Sequence, residues 1–339
     1  MNKTLEVALS KQFEIAHSLS LQPVARGFLS RNFVVQADTD KYFLKQYRFT
    51  QLESVLAVHE AKFFFAAAGI PVILPLRTRQ GEYFFEFGGR YWSLFPYVDG
   101  NHLQRGSFLT QAIESSAELL SRIHRSGKDA TVSYVKPKPL VRDTTLFDKT
   151  TEQLLSRIGK SSMTEFDRLA LETVKLKMAL AKRHRQDFVK IDLPSDHLVH
   201  GDYQDANLFF DAEARVSHVF DWELTRILPR GFELVRAIEF ICFANPENFK
   251  AVFSAENYDK ARCFLQHYHY FYPIERAEFE VVWRARYFDK VLSLWVEEDH
   301  YLHDNPRVDP FLESEYHAVH YYSDHLSEHI EALSEGILK

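Results

Sequence analysis

Between residues 198 and 223 the chain reads Leu198-Val199-His200-Gly201-Asp202-Tyr203-Gln204-Asp205-Ala206-Asn207-Leu208-Phe209-Phe210, then a polar turn from Asp211 to Arg215, then Val216 to Phe220 and Asp221-Trp222-Glu223. Short apolar runs on either side of a polar turn specify a β-hairpin. The loop that enters the hairpin carries a carboxylate, Asp202, five residues before an amide, Asn207, and a second carboxylate, Asp221, follows directly on the outgoing strand. One loop and one hairpin therefore present three polar side chains together. His200 closes the apolar strand Leu198-Val199.

That spacing is the separation of base and metal ligand in a kinase catalytic loop, with Asp221 placed where a metal-binding aspartate follows a strand. Phosphoryl transfer calls for such a trio because the phosphates carry dense negative charge. One carboxylate orients the attacking hydroxyl while an amide and a second carboxylate hold magnesium. Asp and Asn are also ordinary turn residues, so the tripeptide His-Gly-Asp by itself is weak; its weight comes from the joint spacing and from features upstream.

Those features begin with Lys45, a charge inside the apolar and aromatic strand Tyr42 to Tyr47, where a kinase would set it on the nucleotide's α and β phosphates. A helix is expected from Leu52 to Ala68, because Leu56, Phe63, Phe64 and Ala67 recur at helical spacing and Gly69 with Pro71 ends the run. Glu60 falls along that stripe, and an inward carboxylate needs a cation, so a Lys45 to Glu60 ion pair is expected, with Glu53 as the alternative.

The same lobe carries two hairpins, Asn32 to Ala37 with Tyr42 to Tyr47, and Tyr83 to Phe87 with Tyr91 to Val98 across Gly88-Gly89. The expected architecture of residues 1–98 is thus a small antiparallel sheet with one main helix. From Asp99-Gly100 onward, helical periodicity dominates: Leu109 to His124, Met163 to His184 and most of Arg262 to Leu333. Residues 99–339 form the second, mostly helical lobe in this α+β reading. Val132 to Leu140, with its prolines, reads as a connecting loop, and no internal repeat or low-complexity tract is present.

The His-Gly-Asp, the Asn five steps after the Asp, and the later Asp-Trp resemble the aminoglycoside phosphotransferase and choline kinase family, over nearly the whole chain. The resemblance implies a protein-kinase-like two-lobe fold and an ATP-dependent enzyme that phosphorylates a hydroxyl of a small molecule such as an amino sugar, amino alcohol, sugar or antibiotic. By it Asp202 is the catalytic base and Asn207 and Asp221 bind Mg2+. It also implies phosphate contacts at the turn Gly27 to Asn32, with Ser30 and Asn32 near its tip, and a linker, Leu94-Phe95-Pro96-Tyr97-Val98, whose backbone meets the adenine edge. The turn departs from protein kinases in having one glycine. No linker side chain names the base, so GTP stays open beside ATP.

Two alternatives remain, a protein Ser/Thr kinase and a catalytically silent nucleotide-binding scaffold. The chain passes from Asp221 to the Pro229 to Ala237 turn and helix within a few residues, which leaves little room for an activation loop. Lys45, Glu60, Asp202, Asn207 and Asp221 together oppose the silent reading. The acceptor is less legible. Trp295-Val296-Glu297-Glu298-Asp299-His300-Tyr301 combines aromatic and acidic side chains suited to a cationic amine, set against a plain amphipathic helix; Glu223 and Asp205, which flank the catalytic elements, are candidate acceptor contacts, with a loop cap as the alternative for Asp205. His317, His320, His325 and His329 sit at helical spacing, and the interleaved tyrosines favour helix packing over a metal site. Glu233 reads as structural support.

Composition narrows the partners. A chain of 339 residues with 46% apolar content can bury a large core, and a net charge of −6 without a basic stripe gives no surface for nucleic acid. No stretch has the length needed to span a bilayer, and Met1 to Leu9 has no apolar signal core. Cys242 and Cys263 are expected as free thiols in a reducing compartment, which makes the cytoplasm the expected location.

Overall fold

The computed structural model describes residues 2–15, 18–24, 31–103, 106–137, 140, 143–159, 162–188, 193–243 and 252–339. The chain divides into two compact units: Met1–Gln104 with Arg122–Lys136 and His197–Ile227, and Arg105–Ser121 with Pro137–Asp196 and Leu228–Lys339. The expected lobe boundary at residues 98 and 99 differs from this grouping, which keeps the strand-rich island with the N-terminal sheet.

The first unit is built on a five-stranded antiparallel sheet in the order β1-β2-β3-β5-β4, from Leu19–Pro23 (β1), Asn32–Ala37 (β2), Asp40–Gln46 (β3), Phe85–Phe87 (β4) and Arg90–Pro96 (β5). Both expected hairpins form. The second turns through Gly88 and Gly89, each at positive φ (62° and 68°), the conformation that a two-residue hairpin turn of matching twist demands. One sheet face is apolar: Phe33, Val35, Leu44, Trp92 and Leu94 pack with Leu5, Leu9 and Phe13. Those last three belong to or follow a helix, α1 (Asn2–Gln12), which joins the expected main helix in this unit. Leu5, Leu9 and Phe13 recur every four residues, and each buried side chain contributes roughly 1.5–3 kcal/mol.

The opposite face carries polar chemistry, because side chains alternate along a strand. Lys45 lies across from Ser93 and Phe43 across from Phe95. Helix α2 (Leu52–Ala67) covers this face and ends before Gly69, at φ 77°. Its buried residues are Val55, Val58, His59, Ala61, Lys62 and Phe65 rather than the expected Leu56, Phe63, Phe64 and Ala67 stripe.

The island adds β6 (His197–Val199), β7 (Leu208–Phe210), β8 (Val216–Val219) and β9 (Arg226–Leu228). β7 and β8 form the expected hairpin, with an irregularity between Phe209 and Phe210. Isolated bridges join Val219 to Val72 and Phe210 to Asn101, so the hairpin is anchored by backbone to the segments after α2 and β5.

The second unit is helical. It holds the first part of α3 (Thr110–Gly127), then α4 (Thr144–Leu155), α5 (Glu165–Phe188), α6 (Arg230–Cys242), α7 (Ala255–Phe271), α8 (Arg276–Val291), α9 (Trp295–His303) and α10 (Leu312–Ser334). α4 was not anticipated; Asp143 caps it by accepting from the Thr145 amide at 2.7 Å. The core centres on α6, α7, α8 and α10, with Leu234, Ile238, Phe264, Phe279 and Trp283 fully buried. On α10, His320 and His325 lie beside carboxylates of their own helix, while His329 is buried and bonds the Tyr258 hydroxyl at 2.7 Å. His329 thereby packs against α7. Among the described residues no helix is long and apolar enough to cross a membrane, and both cysteines are free.

Candidate active site

The site lies in the first unit and is organised around His200, which is fully buried. Its Nδ1 accepts from the Asp202 amide at 3.1 Å, so Nε2 carries the proton and donates to the Phe220 carbonyl at 3.0 Å. One imidazole thereby ties the Asp202 loop to the residue before Asp221. The ring also packs on Trp222, with centroids 4.4 Å apart. Gly201 makes the bend possible: its φ is +84°, and a Cβ there would stand 1.8 Å from the Leu224 carbonyl oxygen.

Asn207 locks the loop from the other end. Its Nδ2 donates to the Asp202 carbonyl at 2.8 Å and to Asp202 Oδ2 at 3.0 Å, and Gln204 Nε2 donates to the same Oδ2 at 2.9 Å. The Asp202 carboxylate is thus fixed by two amide donors. The Asn207 carbonyl accepts from the Phe220 amide at 3.1 Å, which joins the loop to the second strand of the hairpin. With its NH2 group committed to Asp202, Asn207 has its amide oxygen left as a ligand atom.

Asp221 adopts the left-handed conformation, φ 61° and ψ 63°, and its Oδ1 accepts from Lys45 Nζ at 2.7 Å. The same ammonium lies 2.8 Å from Glu223 Oε1, and Arg48 Nε is 3.4 Å from Glu223 Oε2. Burial works against charge on Lys45, yet the adjacent Asp221 and Glu223 carboxylates outweigh it and raise the lysine above its ordinary value. Burial likewise pushes the Asp221 carboxyl up, and the Lys45 ammonium reverses that, leaving it below the usual carboxylate range.

The sequence-derived residues therefore fall into two joined clusters, Asp202 with Asn207 and Lys45 with Asp221. Glu60 is not among them. Its two oxygens accept from the backbone amides of Ser133 and Tyr134, at 2.6 and 2.9 Å, and the expected Lys45 to Glu60 pair does not form. The reason is the rotation of α2, which turns His59 and Lys62 inward. His59 Nε2 meets the Tyr47 hydroxyl at 3.1 Å, and Lys62 Nζ lies 4.1 Å from the centre of the Phe95 ring. Glu223, read from sequence as an acceptor contact, is the second carboxylate on Lys45. Its position two residues after Asp221 was visible, but nothing in the spacing assigned it to the lysine.

Of the remaining expected nucleotide contacts, Ser30 lies outside the described residues. Asn32 opens β2 and keeps a buried Oδ1 without a hydrogen-bond partner among the described residues. Phe95 is buried beneath Lys62, while Tyr97, at the exit of β5, is exposed, with the Lys41 ammonium 5.7 Å from its ring. In the second unit, the aromatic and acidic segment around Trp295 is taken up internally. Glu297 pairs with Lys177, His300 with Asp309, His303 with Asp299, and the Tyr301 hydroxyl donates to Asp167.

An amide oxygen from Asn207 and a carboxylate from Asp221 are hard donors of the kind that magnesium and calcium select. The Asp221 side chain keeps 38% of its surface exposed even while Lys45 holds one oxygen, which fits a carboxylate able to accept a cation.

Residues 20–265 match the family model described as the phosphotransferase enzyme family. A homoserine kinase of Methylorubrum populi is 23% identical over 284 residues, covering 81% of this chain and 78% of that protein. Among solved structures, an amicoumacin kinase in complex with AMP-PNP, Ca2+ and its antibiotic superposes with a TM-score of 0.62 at 13% identity, covering 92% of this chain and 93% of that one. Choline kinase from Cryptosporidium parvum gives a TM-score of 0.62 at 15% identity, covering 99% of each chain. The fold is accordingly the protein-kinase-like one.

Proposed function

The chain belongs to the phosphotransferase enzyme family, and from that premise we propose that it moves the γ-phosphate of ATP to the hydroxyl of an amine-bearing small molecule, with Asp202 as the base. The observation that carries the reading is the pair of amide donors, Gln204 and Asn207, on Asp202 Oδ2, which fix the direction of that carboxylate. In this reading Asp202 orients the acceptor hydroxyl and takes its proton as the oxygen attacks the γ-phosphorus in line, and ADP departs. Lys45 leaves its carboxylate partners to meet the α and β phosphates. Asn207 and Asp221 hold Mg2+, which when bound spreads the charge of the transferring phosphate. Residues 1–98 provide the phosphate turn and the linker that meets the base edge. Positioning supplies most of the rate, which suits a site so heavily cross-braced.

An amine-bearing acceptor is supported by the relatives, since homoserine and choline are both alcohols that carry an amine or ammonium group. A protein substrate is disfavoured, because α6 begins at Arg230, nine positions after Asp221, and leaves no room for an activation segment. Free thiols and a need for ATP support a cytoplasmic location.

The test is turnover of Mg-ATP against homoserine, choline, amino sugars and neutral sugars, with the phosphorylated product identified by mass spectrometry. Activity on an amine-bearing alcohol that falls about 10²- to 10⁴-fold in Asp202→Ala is expected. Activity confined to neutral sugars would overturn the acceptor class, and wild-type turnover in Asp202→Ala would overturn the mechanism.

A further inference from the structure

Far in sequence from the catalytic loop, three side chains of the second unit converge between α3 and α7. Glu114 projects from α3, and Cys263 and His267 are one turn apart on α7, so they share a face. His267 Nε2 lies 3.6 Å from Glu114 Oε1, Cys263 Sγ lies 4.0 Å from His267 Nδ1, and one ligand atom from each residue falls within 4.8 Å of the others. Nδ1 also lies 3.3 Å from the Cys263 carbonyl oxygen. A proton on Nδ1 satisfies that carbonyl and leaves the Nε2 lone pair facing Glu114. A helix carbonyl holding the far nitrogen is how metal-bound histidines are fixed in tautomer and orientation.

We propose that Glu114, Cys263 and His267 form a binding site for a zinc-class divalent cation that clips α3 to α7. The donor set separates this site chemically from the catalytic one. Thiolate and imidazole select zinc and its neighbours, whereas Asn207 and Asp221 offer only hard oxygens. Three protein ligands leave a fourth tetrahedral position for water, and the side chains of Glu114 and His267 keep 33% and 35% of their surface exposed, which gives a cation a route in. Tetrahedral zinc would need the ligand atoms about 3.5 Å apart, so binding asks only a small closure of side chains at the helix surfaces.

The experiment is a titration of the metal-free, full-length protein with Co(II), read as the near-ultraviolet sulfur-to-cobalt charge-transfer band, followed by displacement with Zn(II). The expected result is one equivalent of cobalt with a thiolate band, lost in Cys263→Ser, weakened at least about 10-fold in His267→Gln and Glu114→Gln, and unchanged in Asp221→Asn. In parallel, Zn(II) should slow alkylation of Cys263, followed by peptide mass spectrometry on the wild-type protein, which keeps the test independent of how well any variant folds. A cobalt complex without the thiolate band, undiminished binding in folded Cys263→Ser, or alkylation of Cys263 indifferent to zinc would each overturn the site and reduce the trio to an ordinary ion pair beside a thiol.

Discussion

Lys45 and Glu223 meet at 2.8 Å, and it is this contact, rather than one from α2, that gives the strand lysine its second carboxylate. The pair links β3 to the turn after β8, so the residue expected to meet phosphate is braced by the same segment that carries Asp221. The Glu223 side chain is 6% exposed and has Arg48 on its other oxygen, which leaves it little freedom.

Glu223→Gln should therefore misplace Lys45, raising KM for ATP and lowering kcat, with a combined loss in kcat/KM of about 100-fold. Glu60→Gln should leave kcat near wild type and instead lower stability by about 1–3 kcal/mol, because it weakens the acceptor of the Ser133 and Tyr134 amides. Steady-state kinetics and urea unfolding on both variants check this. A larger kinetic loss in Glu60→Gln than in Glu223→Gln would reverse the assignment.

Gly201→Ala should abolish turnover while nucleotide binding is largely kept. Its φ of +84° strains any L side chain, and the new Cβ would meet the Leu224 carbonyl at 1.8 Å, so the loop must shift and carry Asp202 with it. Calorimetric ATP binding alongside kcat separates the two effects, and a kcat within about 3-fold of wild type would show that the bend does not set Asp202.

The contrast between Glu60 and Asp202 explains how far the sequence could be read. Asp202, Asn207 and Asp221 are close in the chain and joined by a loop and a hairpin, so local geometry brings them together whatever the rest of the fold does. Glu60 required knowing which face of α2 is buried. Apolar residues surround that helix, Leu56, Phe63 and Phe64 being half-buried while Val55, Val58 and Phe65 lie inside, and a stripe that is nearly continuous cannot select a face. Lys62 was hidden for the same reason. The signal for α1 was present in Leu5, Leu9 and Phe13, whereas the convergence of Glu114 with Cys263 depends on packing of distant helices and leaves no local mark.

Lys62 makes stability depend on pH. It is 5% exposed, and burial, followed by the Lys45 charge, depresses it from 10.5 to about 7 against the pull of Asp221 and Glu223. In the unfolded chain the lysine stays protonated up to 10.5, so between about pH 7 and that value the unfolded state holds the extra proton. Stability should then rise with pH across this window, by about 1.4 kcal/mol per unit from this group, and flatten below pH 7, where both states are protonated. Lys62→Met removes the rise and should be about 1–3 kcal/mol more stable than wild type at pH 7. Urea unfolding from about pH 6 to about pH 10 measures both, and parallel pH profiles for the two proteins would refute the assignment.

The second unit contains a buried ion pair whose removal should be costly in one order and mild in another. Lys177 and Glu297 are both 0% exposed; the ammonium donates to the Ser293 carbonyl at 2.6 Å and lies 3.3 Å from Glu297 Oε1. Burial dominates at Glu297 and raises its carboxyl despite the lysine, so the acid depends on that one cation to remain charged. Lys177→Met leaves the carboxylate buried without compensation and should destabilise the protein by about 3–5 kcal/mol. Without the lysine the raised carboxyl also makes stability fall as pH climbs through its folded value, because the folded state then holds a proton that the unfolded state has released. Lys177→Met combined with Glu297→Met should recover most of the loss, since neither charge then remains to be paired. Chemical unfolding of the two single variants and the double variant closes the cycle, and additive losses would mean that the two side chains do not interact in the folded protein.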